Sequence, residues 1–122
     1  MNTLLVGIGG AVGSIARYHI GLASMKRWPG FPWGTLAVNL LGSFVLSLVM
    51  ALVLKGRFDD TTRIVLGVGV LGGFTTYSSF NYETIALVHA GSYGRAVAYV
   101  VATLLGCLVV GVAGWLTARA FS

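Results

Sequence analysis

Four long stretches, at about residues 3–23, 33–54, 63–89 and 95–119, are mostly apolar, and only short polar turns separate them. A helix that crosses the hydrocarbon of a bilayer needs about 20 residues. Four crossings therefore use up a chain of 122 residues and leave no room for a second domain. Transmembrane strands would alternate apolar and polar residues over about ten positions, whereas these apolar runs are continuous. The composition agrees, with 57% hydrophobic and 9% charged residues against about 25% charged in a soluble domain. The reading is an all-α, multi-pass membrane protein with one transmembrane domain over residues 1–122. Four helices are too few to enclose a pore alone, so such a chain acts as an oligomer.

The formal charge of +5 raises nucleic acid as a partner, but the eight Lys and Arg residues sit mostly at span ends rather than on one patch. No nucleic-acid partner is expected; membrane lipid is. The first apolar segment has no Lys or Arg before Arg17 and is followed by three more, which favours a retained helix over a signal peptide. Lys and Arg bias orientation toward the cytoplasm. Lys55, Arg57, Arg63 and Arg119 would share one side, while Lys26, Arg27, Arg95 and the end of the span that carries Arg17 would share the other. The balance is even, and a chain with no orientation signal can insert both ways. Opposed copies then pair about a two-fold axis in the membrane plane. One weakly specified topology is the alternative.

Small residues concentrate in the first span, where Gly9 with Gly13 and Gly10 with Ser14 lie four apart. Such pairs let helix backbones approach closely in lipid. In the second span Thr35, Asn39, Ser43 and Ser47 recur every four residues, and Tyr99, Thr103 and Cys107 do so in the fourth. Each row lies along one helix face. A polar row inside a membrane either bonds a neighbouring helix or lines a cavity. Asn39 favours the cavity, because its amide can offer two donors to an anion. The third span holds LGGFTTYSSF, residues 71–80, where Gly72 and Gly73 followed by Thr75 and Thr76 are expected to unwind the helix near its centre and free backbone carbonyls. Irregular backbone at that depth is tolerated only inside protein or beside a cavity.

Catalysis has no support. Asp59 and Asp60 lie in a loop and Glu83 stands alone in a span, with no nucleophile and base pair or metal-ligand cluster. The chain is read as non-enzymatic. Arg17 and Glu83 are intramembrane charges expected to be structural, by snorkelling or capping. Small proton-coupled drug transporters also use four short helices, but they depend on an acidic residue in their first helix and this span has none. A purely structural subunit would explain the glycines but not two polar rows and a broken helix.

Taken together, WGTLAVNLLGSF at residues 33–44, LGGFTTYSSFNYET at residues 71–84 and GAVGSIAR at residues 10–17 closely resemble the Fluc (CrcB) family of fluoride-specific ion channels, over essentially the whole chain. The resemblance implies a dual-topology antiparallel homodimer in the cell (inner) membrane that passively exports cytoplasmic fluoride and so reduces its toxicity. It also implies a central sodium ion, structural rather than transported, held by the backbone carbonyls of Gly72 and Thr75 from each subunit. Two fluoride pathways would flank the ion. By position Asn39 faces the anion, Tyr77 and Phe80 form an aromatic box, Tyr99 and Thr103 form a polar track, and Ser79 is a further hydroxyl. This sequence departs from the family pattern at Tyr77, where phenylalanine is usual, and at Cys107, where serine is usual.

Overall fold

The computed structural model describes residues 1–121, and all of their regular structure is helical. Helix α1 spans Asn2–Arg27, α2 spans Trp33–Leu54, α3 covers residues 60–74, α4 spans Tyr77–His89 and α5 spans Tyr93–Thr117, with a closing 3-10 turn at Ala118–Phe121. The first α-helix runs past the apolar stretch to include Lys26 and Arg27. Prolines at 29 and 32 then forbid continuation, and Pro32 sits immediately before α2.

Two helices end in the same way. After α2, Gly56 adopts φ 74°, its N–H bonds the Val53 carbonyl and that of Arg57 bonds Leu52. After α4, Gly91 adopts φ 78°, its N–H bonds Val88 and that of Ser92 bonds Leu87. Both are Schellman motifs, whose left-handed residue is most readily glycine. Helix α3 begins with Asp59 accepting a 2.8 Å hydrogen bond from the Thr62 N–H. It then winds as a wide π-helix over Arg63–Leu71, a geometry that recurs beside functional sites.

The helices pair α1 with α3 and α2 with α5, and α1 against α2 joins the two pairs. Glycine makes both pairings close. A Cβ on Gly13 would overlap the Val70 carbonyl oxygen, and one on Gly73 would overlap that of Gly10. On the other pair, a Cβ on Gly114 would overlap the Phe44 carbonyl oxygen. Backbones in van der Waals contact maximise dispersion where water supplies no drive to associate.

Helix α2 and the stretch Tyr93–Phe121 are each long and apolar enough to cross a bilayer, both with mean hydropathy 2.4. Helix α1, diluted by glycine, serine and Arg17, does not reach that level, and residues 60–74 and 77–89 are each too short alone. Only 17% of the apolar window in Tyr93–Phe121 is buried within the chain. Leu105, Leu108 and Val109 stand exposed along it, a surface suited to lipid or a second protein.

The interruption between α3 and α4 lies where the sequence places it, but on different residues. Gly72 is helical, with φ −62° and ψ −38°, and Gly73 lies within the last helical turn. The chain instead extends at Thr75 (φ −88°, ψ 155°) and Thr76 (φ −153°, ψ 125°). Extended backbone suits β-branched threonine, and Gly73 is needed for its contact with α1 rather than for unwinding.

Candidate functional site

Three side chains hold the break open. Asn39, buried on α2, donates from Nδ2 to the Thr76 carbonyl at 3.0 Å and accepts the Thr76 N–H on Oδ1 at 2.9 Å. Thr76 Oγ1 accepts the Ser79 N–H at 3.2 Å and caps α4. Thr75 Oγ1 donates to the Leu71 carbonyl at 2.9 Å and closes α3.

These bonds decide which carbonyls are left over. In a continuous helix the Thr76 N–H would bond Gly72 and the Ser79 N–H would bond Thr75. Asn39 takes the first donor and Thr76 Oγ1 the second, so the Gly72 and Thr75 carbonyls are released from the helical ladder. These are the two carbonyls implicated above as sodium ligands. Hard cations prefer such oxygen donors; among the described residues no group of three His, Cys, Asp or Glu could hold a metal ion.

A groove of 780 Å³ runs beside the break between α2 and α5. Asn39, Tyr77, Phe80 and Thr103 border it, as do Ser43, Ser47 and Cys107 from the two polar rows. Helical geometry resumes at Tyr77, so Tyr77 and Phe80 share a face, with ring centroids 5.5 Å apart and planes inclined at 69°. Phe80 meets Tyr99 in turn at 5.1 Å and 63°. Phe80 is buried against Leu36 and Tyr99, whereas Tyr77 is 74% exposed. Thr103 Oγ1 is buried with no hydrogen-bond partner. An unsatisfied buried hydroxyl costs about 1–3 kcal/mol, a cost that a polar guest in the groove would remove.

The Glu83 carboxylate lies behind Phe80 in a network that links three helices. Thr35 Oγ1 donates to its Oε2 at 2.9 Å, and the fully buried Tyr99 hydroxyl donates to its Oε1 at 3.1 Å. Arg17 Nε donates to the Gly73 carbonyl at 3.1 Å, joined by Ser14 Oγ at 3.4 Å. Both charges are thus bonded inside the chain.

The structure therefore gathers Asn39, Tyr77, Phe80 and Thr103 along one groove, and sets Gly72 and Thr75 at the break beside it. Ser79 turns toward Thr76, its hydroxyl 3.2 Å from Thr76 Oγ1, and Tyr99 stands behind Phe80 rather than on the groove. Asn39 is already engaged at both ends of its amide, leaving one Nδ2 proton for a guest instead of two. The Thr35–Glu83–Tyr99 network was not read from the sequence. Its signal was present, because Thr35 and Tyr99 are the first members of the two polar rows and both rows begin at the level of Glu83.

The sequence pattern of the family described as CrcB-like protein, Camphor Resistance (CrcB), matches residues 4–115. Among similar proteins, one from Thermus thermophilus is 50% identical over 102 residues, 83% of this chain and 82% of its own length. One from Anaeromyxobacter sp. is 49% identical over 118 residues, and one from Caulobacter vibrioides 45% identical over 119, each match covering 95% of this chain and 94% of the relative. All three bear the name fluoride-specific ion channel FluC. A match of this extent, joined to a helix broken where the motif of residues 71–84 lies, shows that the chain belongs to the CrcB-like family.

Proposed function

We propose that this protein is a fluoride-selective passive ion channel of the cell membrane, working as an antiparallel homodimer. The observation that carries the reading is identity of 45–50% over most of both chains to proteins that bear that name. Support comes from a groove edged by polar and aromatic groups, from an unpartnered Thr103 hydroxyl and from the exposure of Tyr77 at the groove's edge.

In this reading fluoride moves along the groove, and two such pathways form per dimer. It exchanges water for the Thr103 hydroxyl, the remaining Asn39 amide proton and the positive edges of Tyr77 and Phe80. Each contact is favourable but weak, so the anion is not trapped as it would be by an ammonium. Glu83 stays off the groove because Thr35 and Tyr99 bind both of its oxygens. The Gly72 and Thr75 carbonyls of two copies together would hold one sodium ion. When bound, that ion supplies positive charge and joins the two breaks. The physiological role is export of cytoplasmic fluoride, which limits its toxicity.

The test is fluoride efflux from liposomes that contain the purified protein, followed with a fluoride electrode in the absence of any proton gradient. Efflux well above that of empty liposomes is expected, without comparable chloride loss. Flux that needs a proton gradient, or none at all, would overturn the reading.

A further inference from the structure

A second cavity of 780 Å³ lies far from the break, between the C-terminal end of α1 and the start of α2. Its floor is a close helix contact, since a Cβ on Gly34 would sit 3.0 Å from Ser24 Cβ and 3.1 Å from Gly21 Cα. Ile20, Ala23 and Ala37 give it an apolar lining, which Arg27, Trp28 and Trp33 complete. The Arg27 guanidinium stands over the Trp28 ring, 5.9 Å from its centroid.

Charge at this end of the molecule is one-sided. Residues 24–32 and 89–95 hold Lys26, Arg27 and Arg95 and no Asp or Glu. Arg95 donates to the Gly30 carbonyl at 3.2 Å, and among the described residues the one ion pair, Arg63 with Asp60, is elsewhere. Lys26 and Arg27 are exposed with no acid beside them. A cation and two tryptophans lining an apolar slot, at an end of the molecule rich in Lys and Arg, match a molecule that has an anionic head and a hydrocarbon tail.

We infer that this cavity is a binding site for one anionic phospholipid, its phosphate at Arg27, with the exposed Lys26 next in the chain adding charge, and an acyl chain between α1 and α2. The site needs the protein to be embedded in a membrane but not to conduct fluoride, so it stands or falls separately from the channel reading. Charge complementarity selects this occupant, because Lys26, Arg27 and Arg95 make this end positive with no Asp or Glu to oppose them.

The experiment uses a Trp115→Phe background, in which Trp28 and Trp33 are the remaining tryptophans. The protein is reconstituted into phosphatidylcholine vesicles with a fixed fraction of either brominated phosphatidylglycerol or brominated phosphatidylcholine, and tryptophan quenching is measured. Stronger quenching by the anionic lipid is expected. Its preference should fall about fivefold for each cation removed in Lys26→Gln and Arg27→Gln. Equal quenching by the two lipids would overturn the site, as would a preference that survives the double substitution. Quenching by neither lipid would show the cavity to be covered by protein and would also overturn it.

Discussion

Phe80 is where packing and permeation make different demands on one side chain. Its ring is buried against Leu36 and Tyr99, yet it also borders the groove beside Tyr77. Isoleucine keeps apolar bulk, and such a swap typically costs under about 1.5 kcal/mol, so Phe80→Ile should still fold and assemble. It lacks an aromatic edge, and fluoride efflux should drop by about tenfold or more. Tyr77→Phe keeps the edge and removes only an exposed hydroxyl, so it should conduct. Liposome efflux, with size-exclusion chromatography to follow assembly, separates the two demands. Normal conduction by Phe80→Ile, or failure only through dissociation, would leave the edge mechanism without support.

At the scale of elements, the interrupted helix is held at both of its starts by side-chain caps. Asp59 caps α3, and its hydrogen bonds with Thr62 hold its carboxyl below the ordinary value of 3.8. A depressed folded-state value means that the charged cap stabilises fully above pH 3.8 and is lost as pH falls through the lower folded value. Asp59→Ala should therefore reduce the thermal midpoint at neutral pH, with the difference from wild type shrinking below pH 3.8. Intrinsic fluorescence melts at a series of pH values measure this. The break itself offers backbone atoms, so side-chain changes that spare the backbone should spare sodium. Thr75→Ser keeps the hydroxyl that bonds Leu71 and should be mild. Gly72→Val puts a branched side chain at the released carbonyl and should reduce flux. Comparing flux after prolonged incubation with and without sodium tests the ion directly, and no change in folding or flux would mean that the carbonyls hold no structural cation.

Over the whole molecule, charge does not choose a side of the membrane. Lys55, Arg57, Arg63 and Arg119 fall toward one end and Lys26, Arg27 and Arg95 toward the other, with Arg17 held at the break, and this near balance predicts chains inserted in both orientations. Single cysteines placed in the 55–62 loop, after Cys107 is replaced, should be labelled by an impermeant reagent from either side of the cell membrane. A single labelled side in whole cells would refute dual orientation. The exposed Leu105, Leu108 and Val109 of α5, with Tyr77 at the break, leave apolar surface suited to lipid or to another protein.

Helix number, the place of the break and the two polar rows were legible in the sequence because they depend on local pattern. Apolar length sets a crossing, a four-residue period sets a face, and glycines at that period permit close contact, all without knowledge of partners. Tertiary structure alone decided how those parts engage. Gly72 and Gly73 look like the helix breakers, but Gly73 packs on Gly10 while Thr76, caught by Asn39 on another helix, leaves the ladder. Asn39 reads as a donor to an anion until its amide is found on Thr76. Glu83 reads as a lone acid until Thr35 and Tyr99 arrive from 48 and 16 residues away. A hydrogen bond between distant residues leaves no periodic trace along the chain, and the low-polarity interior that makes such bonds obligatory exists only once the helices have packed.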